Sequence, residues 1–180
     1  TGTGALTKNG AGALTLSGDN SYSGATNINA GSLLVGAGGS TGSLGTGLVT
    51  NNTSLTFNRT GVLVVPSTIT GTGTLTKQGS GSVSLTAAND YSGATTLSAG
   101  TLGIYNNTSL GSSTLTAAGG TTLLFGRAVT NFANNITLNG SVTFDLDTAV
   151  DYLLVGGGGG GGAHVGGGGG GGGVLASTVD

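Results

Sequence analysis

Apolar and small polar residues alternate strictly in Ala13-Leu14-Thr15-Leu16-Ser17, in Ser82-Val83-Ser84-Leu85-Thr86 and in Ser141-Val142-Thr143-Phe144-Asp145-Leu146-Asp147. A two-residue period is that of a β-strand with one buried face. The same reading predicts short strands at Ser32 to Val35, Ser54 to Phe57, Val62 to Val65, Thr101 to Tyr105, Thr121 to Phe125 and Ile136 to Leu138. Between them lie Asn-Gly, Ser-Gly, Ala-Gly and Gly-Gly pairs, which accept positive φ and turn the chain at low cost. No stretch shows a 3.6-residue stripe, and the charged and long-chain helix formers are nearly missing. The pattern is all-β.

The strands are also copied. Residues 2–33 and 71–102 align without a gap at a constant offset of 69 residues. Phe57-Asn58-Arg59 is answered by Phe125-Gly126-Arg127, and Ile69-Thr70 by Ile136-Thr137, so residues 1–70 and 71–138 are two copies of one unit and a third begins near Asn139. Stacked rungs must match in length and aim their aliphatics at one axis, so an ungapped copy favours a solenoid over a sandwich. A unit of this size holds about three rungs of twenty-odd residues. The expected buried ladder pairs Leu6 with Leu75, Leu14 with Val83, Leu16 with Leu85, Ile28 with Leu97, Leu33 with Leu102 and Val35 with Ile104.

Composition narrows the class. With 36% hydrophobic residues, one proline and 41 glycines that do not fall on every third position, the 180-residue chain is neither disordered nor collagen-like. Four cations against six aspartates leave a net charge of −2, without the basic footprint that nucleic acid requires. No apolar run approaches the roughly 20 residues of a membrane span. The start at Thr1 and the truncated third copy read as a fragment of a longer protein.

The wording Gly-Thr-Gly-x-Leu-Thr-Lys-x-Gly-x-Gly-x-Leu-Thr-Leu-Ser-Gly-x-Asn-x-Tyr-Ser-Gly-Ala-Thr-x-Ile-x-Ala-Gly-x-Leu, over residues 2–33, closely resembles the autotransporter-associated β-strand repeat, or passenger-associated transport repeat, of type V secreted proteins. Residues 71–102 carry the second copy, with Val83 for the first Leu of the triplet and Ala87 for Gly; Ser43 to Gly45 and Ser109 to Gly111 fit the usual spacers. The resemblance implies a right-handed parallel β-helix in the passenger of a Gram-negative surface protein. It also implies a translocator barrel in the parent protein and host or surface glycans or proteins as ligands. The absence of cysteine agrees with passage through a narrow pore. A coil stacked rung on rung can fold by local nucleation and propagation outside the cell.

Candidate chemistry is sparse. Lys8 recurs as Lys77, Arg59 as Arg127, Tyr22 as Tyr91 and Asn20 as Asn89. A catalytic centre should break the repeat, and these residues follow it. The exception is the acidic group Asp145, Asp147 and Asp151, conceivable as a cation site or, with Arg127, as the carboxylates of a polysaccharide-degrading β-helix enzyme. The plain reading is a solvated strand face that blocks edge pairing. His164, the single histidine, has no neighbouring donors for a metal, and no phosphate-loop motif occurs, so no catalytic residue, metal ligand or cofactor is assigned. Thr68-x-Thr70-x-Thr72-x-Thr74-x-Thr76 suggests a glycan- or ice-binding face, but an ice plane needs threonines repeated across rungs, and Ile136 to Leu138 does not keep the run. The expected organisation is a β-helix over 1–155, a glycine-rich flexible segment over 156–173 and a short terminal strand within 174–180. The whole reads as a non-catalytic stalk or adhesin scaffold at the cell surface.

Overall fold

The computed structural model describes residues 2–147 and the two short strands Leu153–Leu154 and Val174–Leu175. Asp151, His164 and the glycine tracts lie outside the described residues. Residues 2–147 form a parallel β-solenoid of seven turns with no helix.

Three parallel sheets wrap the axis. The first face holds β1 (Leu6–Lys8), β3 (Thr26–Ile28), β5 (Val49–Asn51), β8 (Ile69–Gly71) and β11 (Asp90–Tyr91). The second holds β2 (Ala13–Leu16), β4 (Ser32–Val35), β6 (Ser54–Asn58), β9 (Thr74–Gln78), β12 (Thr95–Leu97), β14 (Leu115–Ala118) and β16 (Ile136–Asn139). The third holds β7 (Leu63–Val65), β10 (Ser82–Leu85), β13 (Thr101–Ile104), β15 (Thr122–Phe125) and β17 (Thr143–Leu146). β18 (Leu153–Leu154) and β19 (Val174–Leu175) pair antiparallel with each other, so they add no rung to the coil.

Alternation does what it predicts. Leu33, Val35, Leu55, Phe57, Leu75, Val83, Leu85, Leu97, Leu102 and Ile104 point inward and are almost fully buried. Their neighbours along each strand face out. The interior closes with aromatics near the last turns, where Phe125 meets Phe132 edge-on and stacks on Phe144, at centroid distances of 5.4 and 6.2 Å.

The expected ladder partners do not stack on one another. On the first face, Leu6 registers with Thr26, Thr26 with Val49 and Val49 with Ile69, so three turns end at residue 69. Six more residues carry the chain round a corner to Leu75, the copy of Leu6, on the second face. Leu6 therefore stands at the start of one sheet and Leu75 in the next. The real second-face stack is Leu14, Leu33, Leu55, Leu75, Thr95, Leu115 and Ile136. Repeat equivalence and spatial stacking are different relations here, because 69 residues make three turns plus one face.

The same advance recurs in the third copy. Gly2, Gly71 and Gly140, each opening a copy, all have positive φ, at 141°, 102° and 117°. The strands that follow, β1, β9 and β17, lie on the first, second and third faces in turn. The face without a strand rotates likewise: it is the third in the first two turns, where residues 36–47 form a loop, and the first in the last two.

Candidate functional site

The polar residues that the two copies share sit at corners between faces. In Leu-Thr-Lys the threonine faces out, so strand alternation turns the lysine inward. Lys77 is fully buried, between Phe57 and Leu97 in the stack. A buried ammonium needs partners. Its Nζ donates to the backbone carbonyls of Gln78 and Gly79, both at 2.8 Å, and of Ala99 at 3.0 Å. Lys8 does the same to the carbonyls of Gly10 and Ala30. Each lysine thus ties one corner to the corner of the next turn.

Burial lowers the Lys77 ammonium to about 8 from 10.5. Between these values the unfolded chain holds a proton that the folded chain has lost, so stability climbs with pH across that window. Tyr91 acts oppositely: burial pushes its phenol up to about 12, against the donors Thr95 and Ser113, so stability falls once free tyrosine ionises above 10.0. The urea midpoint should therefore rise from pH 8 and turn over near pH 10. Lys77→Met should flatten the rise and keep the fall; a midpoint declining steadily from pH 8 in the wild-type chain would contradict the assignment.

A second corner module joins Asn-x-Tyr-Ser-Gly to the Ser-Leu-Gly spacer of the following turn. Asn89 is buried; its Oδ1 accepts from the Ile69 amide at 2.8 Å and its Nδ2 donates to the Ser109 carbonyl at 2.6 Å. Asn20, half-buried, donates to the Ser43 carbonyl at 2.8 Å. The Tyr91 hydroxyl bonds Thr95 Oγ1 at 2.8 Å, which bonds Ser113 Oγ at 2.9 Å; Tyr22 and Thr26 repeat the first contact at 2.7 Å. The spacer glycines lie hard against the tyrosines: a Cβ at Gly45 or Gly111 would stand 2.1 or 2.2 Å from the carbonyl oxygen of Tyr22 or Tyr91.

Arginine breaks the symmetry. Arg59 is buried, donates to the carbonyls of Gly42 and Ser40, and lies 3.5 Å from Asp19, so it pins the 36–47 loop to the coil. Arg127 is exposed. The equivalent loop of its copy, residues 105–114, is three residues shorter than 36–48.

Asp145 on β17 and Asp147 just after it are exposed as the alternation implies, with Phe144 and Leu146 packed against the core. Asp145 registers with Leu124, and Asp147 lies beside Tyr105, raising its phenol together with the larger effect of desolvation. Among the described residues no group of three or more acidic, histidine or cysteine side chains could hold a metal. Shallow clefts indent the surface of the described residues. One of about 210 Å³ lies between Ser43–Thr46 and Leu63–Ser67, and one of about 380 Å³ between Asn107–Thr114 and Ala133–Asn135. In the second, Asn107 accepts from the amides of Thr130 and Asn131, and Asn134 donates to the carbonyls of Gly111 and Ser113, so the amides that line it serve the coil.

Residues 6–35 and 75–104 match the family described as Passenger-associated-transport-repeat. These are passenger-associated-transport repeats. Over 113 residues, 62% of the chain, the sequence is 40% identical to the Adhesin BmaC autotransporter of Brucella suis biovar 1 (strain 1330), and the match covers 3% of that protein. No solved structure matches.

Each passenger-associated-transport repeat takes in the lysine cradle and the Asn-x-Tyr-Ser-Gly corner, and stops before the Ser-Leu-Gly spacer that docks on it. The repeat is therefore half of an interlocking joint. Its other half is supplied by the intervening turn. The shared lysines and asparagines of the two repeats bond to backbone and the shared tyrosines to a threonine hydroxyl within the coil, which makes them structural.

Proposed function

We propose that this chain is a non-catalytic shaft segment of an exported autotransporter passenger, holding adhesive surfaces away from a Gram-negative cell and supporting passenger folding during secretion. The observation that carries it is the pair of passenger-associated-transport repeats set into one continuous parallel coil. Repeated lysine, asparagine and tyrosine serve corners, and among the described residues Asp145 and Asp147 belong to no group of three or more acidic, histidine or cysteine side chains. A translocator barrel in the parent protein and ligands on host surfaces follow from the same reading, as does a position outside the cell.

Protease treatment of intact cells expressing the parent protein tests the export. Peptides from residues 2–147 should be released without lysis, and their protection until lysis would defeat the proposal. The enzyme alternative is tested on the same material by a glycan-cleavage screen. Activity lost in both Asp145→Ala and Asp147→Ala would replace the stalk by a polysaccharide-degrading enzyme.

A further inference from the structure

The threonine run from Thr68 to Thr76 turns a corner and forms no plane, since β8 and β9 lie on different faces. The third face carries a different feature. Tyr105 directly follows β13, and its ring lies over two glycines: a Cβ at Gly103 would stand 2.8 Å from Tyr105 Cε2, and one at Gly126 would meet Cδ1, Cε1 and Cγ. A side chain at either position would lift the ring off the sheet. Tyr105 is half-buried and stands outside the core cluster. Its phenol is raised by desolvation first and by Asp147 next, while Ser84 acts the other way, so both side chains stand near the hydroxyl. Asp147 itself is exposed.

Repeat copying does not generate this cluster. At the offset of 69 residues Tyr105 answers to Gly36, Gly103 to Leu34 and Asp147 to Gln78, and Gly126 replaces Asn58 between the copied phenylalanine and arginine. The ring, the two gaps that seat it and the carboxylate near it therefore occur together where the copies differ. Residues that hold the coil, such as Lys77 and Tyr91, are copied with it.

We propose that Tyr105 and Asp147 form a glycan-binding site, the ring stacking on the apolar face of one pyranose and the carboxylate accepting hydrogen bonds from its hydroxyls.

A pyranose has an apolar C–H face and a rim of hydroxyls, and an aromatic ring with polar groups at its edge matches both. The negative π-face attracts the polarised C–H groups. An ionised carboxylate offers two acceptor oxygens, and charge-assisted bonds to it are the stronger ones. A tyrosine seated on two glycines is ordered before the ligand arrives, so little conformational entropy is lost on binding. A ring beside a carboxylate would also attract an ammonium group. Arg127, exposed and next to Gly126 in the chain, sets a positive donor close to this ring, which suits a neutral polyhydroxy ligand better than a second cation.

The site rests on the reading of the chain as an exported adhesive shaft only for its biological setting, because binding is measured on the isolated full chain and its failure leaves export standing. Cellotetraose, chitotetraose and lactose are titrated in turn, with tyrosine ring resonances and saturation transfer to the saccharide followed by NMR. At least one saccharide should shift the Tyr105 ring saturably and leave buried Tyr91 in place. Tyr105→Phe should keep binding. Tyr105→Val, which retains a strand-forming residue, should lose it, and Asp147→Asn should weaken it several-fold, both without moving the urea midpoint. Silence of all three saccharides overturns the proposal, as does undiminished binding by Tyr105→Val or Asp147→Asn. A Tyr105 shift with tetralysine where no saccharide gives one overturns it in favour of a cationic partner.

Discussion

Asn89→Ala is expected to lower the unfolding free energy by about 3–5 kcal/mol, because it leaves two buried backbone groups without partners at about 1–3 kcal/mol each and removes side-chain packing. The site explains the size of the effect. β11 is two residues long and is the last strand of the first face, so the ladder ends where Asn89 stands. Its amide group supplies an acceptor to Ile69 in the turn before and a donor to the Ser109 carbonyl in the turn after. One side chain bridges three turns at a place where strand pairing has stopped. Asn20→Ala, at the half-exposed equivalent corner, should cost about 1 kcal/mol, since water can replace what is lost there. Urea titration of both variants of the full chain checks the contrast, and equal costs would show that Asn89 is not the bridge.

Alternation sufficed to place the second-face strands β2, β4 and β6 and the third-face strands β10, β13 and β15, because a pleated strand with one buried face writes its period directly into the sequence. The first-face strands were invisible to it. Thr26–Ile28, Val49–Asn51 and Asp90–Tyr91 are three residues or fewer, too short to show a period, and Thr26 and Asn51 are buried polar groups. Repeat matching found the copied unit, but it does not report the angle between copies. That angle depends on how the unit length divides into turns of about twenty residues, and the remainder of six was readable only once the register was known. The error in the ladder has this origin. Lys8 and Lys77 stand out in the sequence only as copies of one another; the signal that places them is their position in the alternation, two after Leu6 and Leu75. Arg59 and Arg127 carried the same weight in sequence, and only the loop across Gly36 to Gly47 separates a buried tether from an exposed side chain.

Gly111→Ala should be among the more damaging single methyl groups in the described residues. Its Cβ would lie 2.2 Å from the Tyr91 carbonyl oxygen and 2.8 Å from its amide nitrogen, with φ at 54°. Relief by moving Tyr91 is blocked, because that ring is fully buried and its hydroxyl is held by Thr95. Relief by moving the spacer breaks the Asn89 bond to Ser109. Left-handed backbone costs alanine about 1–2 kcal/mol, and forced overpacking adds about 1–3 kcal/mol, so a loss of about 3–4 kcal/mol is expected. Gly120→Ala separates the two contributions: φ there is 78° but nothing lies within 4 Å of the added carbon, so only the conformational cost of about 1–2 kcal/mol applies. The damage at Gly111 should also be local in a telling way. Turns in a solenoid hold mainly to their neighbours, so parting the fifth turn from the sixth should release β14 to β17 while β1 to β10 stay paired. Hydrogen exchange of Gly111→Ala should show fast amides from about Ser112 to Asp147 beside protected ones before Tyr91. Uniform loss of protection across all seven turns would mean that the coil unfolds as one unit, and the joint between repeat and spacer would then not be where the shaft can be divided.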